Sequence, residues 1–558
     1  MKTIKNIAVL FALVPALLLS SCSKDYLDRT PTTALDTDLV LQNTDLIPST
    51  VVGTMRMMYS SSFGGKYATI IGDIMTDMVT SSIRGSNGSF KEMEEWNINQ
   101  SSTDVLTLWG ASYQIAAAAA QTINAAKRKL ADSANLSNTQ IKNLQSALAA
   151  SLTIKAYTEY FLTQYFCVDV NIGEGDYPFE NNYTVPGDHK DRKVGILLLK
   201  DKSLDLKEYA NMSTLKATYD FLETEIAEAI NYFKTSGNNA FTLSGTRYFP
   251  TLGAAYLVQA RIFLAQHKYD QAYTAANNAL ENLPSGASST LISDAENLLK
   301  AYGENLSSED IWSLNYTTQD NLSANSLQNL FSSYGFNPSP YAISLFQKDD
   351  IRLILYYDGQ NRKKPSDMDS YCMKYPNENA VFNVPLLRVP EIYMIQAEAL
   401  AANGKDLQGA KEALLKVLGA RDTSIGGDMQ KLEEKYKVDA DNIMQTILDE
   451  NAREFLCEGH RWYDLRRNGK RLTREGSTEA TANDFPTHFT GYPLSMFAFP
   501  VPYGETSTEQ WKRGKGIFDN GALDNENWQN NAWDRKTGDT YTNTIDLPVN
   551  DGEYETLN

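Results

Sequence analysis

From about residue 40 the apolar positions of this chain recur mostly at three- and four-residue steps, the period of helices that bury one face. Leu108 to Leu130, with its five-alanine run, predicts a helix whose small side chains suit close packing. Ser137 to Tyr165 predicts a second long helix, N-capped by Ser137 or Asn138, and Ala217 to Phe233 a third. Between Thr251 and Leu283, Ala260, Ala272 and Ala279 flank a turn at His267-Lys268. Small residues at those intervals let two antiparallel helices approach, as in a tetratricopeptide hairpin. Glu391 to Leu418 repeats the theme, with Ala397 and Ala399 before a break at Gly404-Lys405-Asp406 and Ala410, Leu414 and Val417 after it. Between Pro284 and Pro385 the period weakens: Asp310 to Thr317 reads as a strand and Ser332 to Tyr341 as a Gly/Pro/Ser/aromatic loop. The predicted fold is mainly α, a tetratricopeptide-like helical-repeat scaffold with a loop-rich, partly β variable region.

The start of the chain departs from this pattern. Lys2 and Lys5 precede an apolar run from Ile7 to Leu19, too short to span a bilayer, and then Ser20-Ser21-Cys22. Residues 1–21 therefore read as a secretory signal, and Leu19-Ser20-Ser21-Cys22 resembles a bacterial lipobox. Cleavage before Cys22 and acylation of its thiol, with palmitate-type chains, would anchor the mature protein to a membrane. Residues 22–45 read as an extended tether, 46–310 as an N-terminal helical region, and 311–385 as the variable region. Residues 386–558 form a C-terminal region, helical to 470 and loop-rich beyond.

Composition narrows the chemistry. The 558 residues carry 51 Lys and Arg against 69 Asp and Glu, a net charge of −18 that argues against nucleic acid as a partner. Cys167, Cys372 and Cys457 are too few and too scattered for a disulfide framework, and the four histidines lack metal-ligand spacing, so neither metal nor cofactor is expected. Phosphate-loop, dinucleotide, zinc-protease and serine-hydrolase motifs are all missing. Glu450, Glu454 and Glu458 succeed one another on one helix face. Paired carboxylates raise the prospect of a glycoside hydrolase using Glu454 or Glu458. Catalytic carboxylates, however, flank a bond from opposite sides of a cleft, and Arg453, Arg461, Arg466 and Arg467 lie close by. A charged network locking this helix to its neighbours is the expectation, with Asp449 and Arg453 as one i,i+4 pair.

Glu450-Asn451-Ala452-Arg453-Glu454-Phe455-Leu456-Cys457-Glu458-Gly459-His460-Arg461-Trp462-Tyr463-Asp464-Leu465-Arg466-Arg467-Asn468-Gly469-Lys470 closely resembles the C-terminal signature of the SusD/RagB family, surface lipoproteins of Bacteroidota. Gly72-Asp73-Ile74 with Asp77, Trp109 with Tyr113, Asp350-Ile351-Arg352, Arg388-Val389-Pro390-Glu391 and Phe499-Pro500-Val501-Pro502 follow that family's landmarks in order. Tyr165 to Val170 departs from it, since many members carry a Gly-Asp-x-Pro turn there. The resemblance implies a non-enzymatic, surface-exposed lipoprotein of the outer membrane. Its ligand would be an oligosaccharide, or a peptide as in RagB-like relatives, and its partner a SusC-like TonB-dependent transporter.

A sugar ring presents an apolar face that stacks on Trp or Tyr, while its hydroxyls pair with Asn, Asp or Arg. Met78 to Ser102 has that inventory, with Trp96 as the stacking platform and Arg84, Asn97 and Asn99 as polar contacts. Tyr334, Phe336 and Tyr341 form a second candidate. Trp312 and Trp462 are assigned to the core.

Overall fold

In a computed structural model the described residues are 37–81, 89–96, 98–170, 195–199, 213–356, 372–375, 381–402, 404, 406–474, 489–494 and 497–502. The signal segment and Cys22 lie outside them. The end of the predicted tether is a short helix, Thr37–Gln42, and not extended chain; Val40 within it is already buried.

The helices run in order α1 Ile47–Met58, α2 Tyr67–Ile74, α3 Thr103–Ala131, α4 Asn138–Phe166 and α5 Leu215–Ser236. The two expected hairpins follow, α6 Leu252–Ala265 with α7 Tyr269–Glu281, then α8 Val389–Ala402 with α9 Leu407–Arg421. α10 Ile443–Glu454 and α11 Arg461–Arg467 come last, and further short helices lie between those named. Among the described residues no helix is long and apolar enough to cross a membrane.

α4 is the central helix. Ser137 caps it through a reciprocal bond with Gln140, and every residue from Ser146 to Phe166 is buried. A helix covered all round needs small residues where neighbours come close, and Ala147, Ala149, Ala150 and Ala156 supply them between α3 and α5. The hairpins obey the same rule. Ala260, Ala272, Ala279, Ala397 and Ala410 are all fully buried, and α7 packs on α8 so that the two pairs stack. At Gly253 an added Cβ would lie 2.5 Å from the Asn282 carbonyl oxygen, so the first hairpin closes only on glycine.

Three two-stranded antiparallel pairs complete the described architecture: β1 Val79–Ser81 with β3 Phe336–Pro338, β2 Asp310–Asn315 with β4 Asn383–Arg388, and β5 Arg471–Arg474 with β6 Phe489–Pro493. β2 holds Trp312 in the core, as expected. The stretch read as a loop, Ser332 to Tyr341, contains β3 and opens a short helix, Pro340–Ser344, capped by the Ser339 hydroxyl. Cross-strand pairing with β1, Val79 opposite Pro338 and Ser81 opposite Phe336, supplies the order that local composition does not encode.

The C-terminal signature reaches α2 backbone to backbone. A Cβ at Gly72 would sit 2.1 Å from the Gly459 carbonyl oxygen, and Gly459 itself has a φ of +78°. Gly72→Ala is expected to cost about 1–3 kcal/mol in urea unfolding through overpacking. Gly53→Ala, where the helix surface is open, is expected to be neutral or to stabilise by up to about 1 kcal/mol.

Candidate functional site

The carboxylates of α10 and its following turn are consumed by cations from four other parts of the fold. Glu454 accepts from Arg388 (2.8 Å), from Arg421 (2.9 and 3.0 Å) and from Arg352 (3.0 Å). Glu450 binds Arg352 and Arg453, each at 2.8 Å, while Glu458 binds Arg388 at 2.8 Å and also Lys374. All of these side chains are buried. Burial pushes the Glu454 carboxyl up, but Arg421, Arg388 and Arg352 outweigh it and hold the group well below the usual carboxylate range. A carboxylate so saturated has no free lone pair facing a cleft, so the arrangement locks the fold together and offers no acid–base pair across a bond. The predicted partner Asp449 is replaced: Arg453 turns to Glu450, three residues back, and Asp449 accepts from Gln445 instead. Arg461, Arg466 and Arg467 serve other contacts, with Asp77, with the carbonyls of Gln164 and Cys167, and with Glu398 respectively.

Beside this network a cleft forms around His460, between α4, α6, α8 and α11. It is lined by Tyr160, Arg261, Glu391, Glu398, Tyr463 and Arg467. The imidazole stacks on Phe455 at 4.1 Å. Burial and the cations Arg261, Arg388, Arg467 and Lys374 hold it neutral, its pKa well below the usual value.

The predicted ligand residues separate into three groups. Trp96 is not a surface platform. It is 2% exposed, its indole N–H donates to the Met75 carbonyl at 3.1 Å, and its ring packs on Phe497 and Trp462. A φ of +53° at Trp96 accompanies this inward turn after the short helix Lys91–Glu94. Phe336 is likewise core, fully buried and edge-on to Phe90 at 6.3 Å. Arg84 and Asn97 lie outside the described residues. Asn99 is exposed and braces its own loop by accepting from the Ser101 N–H at 2.8 Å. Tyr334 is half-buried and Tyr341 is 41% exposed.

The two candidate segments, far apart in sequence, meet in space. β1 pairs with β3, the Ser339 N–H donates to the Met78 carbonyl at 2.8 Å, and the Ser339 hydroxyl donates to the Asp77 carbonyl at 2.5 Å. The Asp77 carboxylate grips Arg461 through two bonds of 2.9 Å. Arg461 in turn lies 6.0 Å from the Tyr341 ring centroid and donates to its hydroxyl at 3.3 Å. Tyr341 is thus an exposed aromatic ring whose position is set from below by the signature. Asp77 and Arg461 were visible in the sequence, but their pairing across 384 residues was not.

Residues 361–555 match the SusD family model. Over these residues the chain is similar to the SusD family. No curated protein matches it significantly. Among solved structures, a SusD superfamily protein of Bacteroides thetaiotaomicron is 18% identical with a TM-score of 0.68, over 84% of this chain and 98% of that one. A SusD superfamily protein of Bacteroides vulgatus is 20% identical with a TM-score of 0.65, over 83% and 97%. A protein described as SusD-like and carbohydrate binding, also of Bacteroides vulgatus, is 15% identical with a TM-score of 0.62, over 85% and 97%. The shared fold covers most of this chain, and at these identities the likeness speaks to fold alone.

Glu454→Gln keeps the shape and removes the charge, and is expected to cost about 3–5 kcal/mol in denaturant unfolding because buried guanidiniums lose their counter-charge. For His460, the unfolded chain binds a proton below pH ~6.5 that the folded chain refuses, so its contribution is complete above that pH and lost below it. Wild type is therefore expected to lose more stability than His460→Gln between pH 7.5 and pH 5, and equal losses would count against a neutral His460.

Proposed function

We propose that this protein is a cell-surface lipoprotein, acylated at Cys22, that binds an oligosaccharide and passes it to a SusC-like TonB-dependent transporter in the outer membrane. The observation that carries the ligand assignment is the exposed Tyr341 ring, set on Arg461 at the junction of β1 and β3. An aromatic face held on a rigid base is pre-organised for stacking, and Tyr334 and Asn99 are the polar and aromatic groups of the two flanking segments. Binding proceeds without bond cleavage, since Glu454 and Glu458 are occupied by arginines and Lys374. Lipid at Cys22 would leave the folded body free to tilt over a transporter like a lid.

Titration calorimetry on the lipid-free chain from Ser23, against soluble polysaccharides and peptides, tests this reading. Saturable binding of a glycan without product release is the expected result. Tyr341→Ala is expected to weaken it at least about tenfold, roughly 1.4 kcal/mol, while Trp96→Phe leaves affinity unchanged. Binding of peptides alone would replace the glycan by a peptide ligand. Released sugar would overturn the non-catalytic reading.

A further inference from the structure

α4 and α5 meet over three charged side chains that belong neither to the arginine network nor to the ligand surface. Lys155 Nζ lies 2.8 Å from Glu159 Oε1, one turn on in α4, and donates to Glu225 Oε1 of α5 at 2.6 Å. Lys155 and Glu159 are fully buried and Glu225 is 4% exposed. The Phe221 ring covers the ammonium, its centroid 4.5 Å away. Two carboxylates thus share one ammonium, and among the described residues no other cation lies within ion-pair distance of either. Charges on the packed helices are engaged elsewhere. Arg56 of α1 pairs with Asp320, Asp104 of α3 accepts from Tyr67, and Lys127 of α3 pairs with Glu228. On α5, Lys216 pairs with Asp220 and Glu223 with Lys268, while Arg261, the single charge of α6, pairs with Glu391.

Fully ionised, the cluster would carry one uncompensated negative charge out of reach of water, among the costliest arrangements a core can hold. The oxygens point the same way. Glu159 Oε1 lies off hydrogen-bonding geometry with the ammonium, and Glu159 Oε2 and Glu225 Oε2 are buried with no hydrogen-bond partner. A single added proton neutralises the cluster and turns one of these oxygens into a donor for another. We propose that Glu159 and Glu225 hold one proton between them in the folded chain at neutral pH, making the seam of α4 and α5 a pH-sensitive device inside the helical scaffold. Burial and the Glu159 charge push the Glu225 carboxyl well up, against the opposing pull of Lys155. In the unfolded chain a glutamate releases its proton near pH ~4.3. Above that pH the folded chain holds a proton that the unfolded chain has lost, so this contribution to stability is lost as pH rises, until the pair itself ionises.

The test compares wild type with Glu225→Gln, in the chain from Ser23, by urea unfolding between pH 5 and pH 7. The amide replaces the shared proton as donor to Glu159, so the variant has no proton to give up. The ratio of the wild-type to the variant unfolding constant is expected to rise about tenfold per pH unit. A ratio that stays constant would mean that both carboxylates are ionised in the fold and would overturn the proposal. Glu159→Gln is expected to show the same slope, and serves if Glu225→Gln does not fold. Infrared spectroscopy of the wild type, with ¹³C-labelled glutamate in heavy water at neutral pH, needs no unfolding. An isotope-shifted band of a protonated carboxyl is expected. The label separates it from Asp73, Asp310 and Asp464, which burial pushes up to about 7, about 7 and about 6. Absence of that band from the wild type, or its persistence in Glu225→Gln, would contradict the shared proton.

Discussion

Three guanidiniums converge on the carboxylate of Glu454, and the rest of the molecule is arranged around that convergence. The partners lie 33, 66 and 102 residues away in the chain, at the end of α9, the end of β4 and the turn that begins at Ile351. A hydrogen-bonded cluster of this kind is a poor source of net stability, because each ion has been taken out of water at a cost that the pairing only offsets. Its consequence is specificity. With Glu454 in place, the second hairpin, the sheet and the variable region have one arrangement in which no buried charge is left alone, and any other arrangement strands at least one arginine.

The signature that follows Glu454 extends the same lock toward the N-terminal half. Gly459 presses on Gly72, and its N–H donates to Asp73 at 3.0 Å. Trp462 donates to the Gln164 carbonyl at the end of α4 at 2.8 Å, and Arg467 closes on Glu398 in α8. Arg461 reaches Asp77 and, beyond it, Tyr341. A stretch of under 20 residues, Glu450 to Arg467, thereby fixes both the buried scaffold and the base of an exposed aromatic ring. The residues most suggestive of catalysis are the ones most occupied in holding the fold, and the ligand site proposed here lies on the surface they support.

The elements legible in the sequence were those whose cause is local. Period and caps placed α4 between Ser137 and Tyr165, one residue short of its end, and the alanine spacings marked both hairpins, since a helix face and a close approach are written within a few turns. That Glu450 and Glu454 share a helix face followed from their spacing, and so did the structural role of the three carboxylates, but Glu458, expected on the same face, lies in the turn beyond the end of α10. The partners of the three did not follow, because Arg352, Arg388 and Arg421 arrive through tertiary packing that no short window records. Trp96 shows the same limit from the other side. An irregular, Asn-rich neighbourhood suggested a surface loop, yet a bulky indole has most to gain from burial, and it found Met75, Phe497 and Trp462. Tyr341 lay in the right segment, but only the pairing of β1 with β3 brought that segment beside Met78 and Asp77.

The division between a locked interior and a ligand-bearing surface is tested most directly by hydrogen–deuterium exchange on the chain with and without a saturating oligosaccharide. Slowed exchange is expected in peptides spanning 77–81 and 334–344, with 443–467 unchanged because its amides are already protected by the arginine network. Ligand-dependent protection concentrated in 443–467 and absent from the β1 and β3 segments would contradict it, and would return the carboxylates of the signature to the binding chemistry.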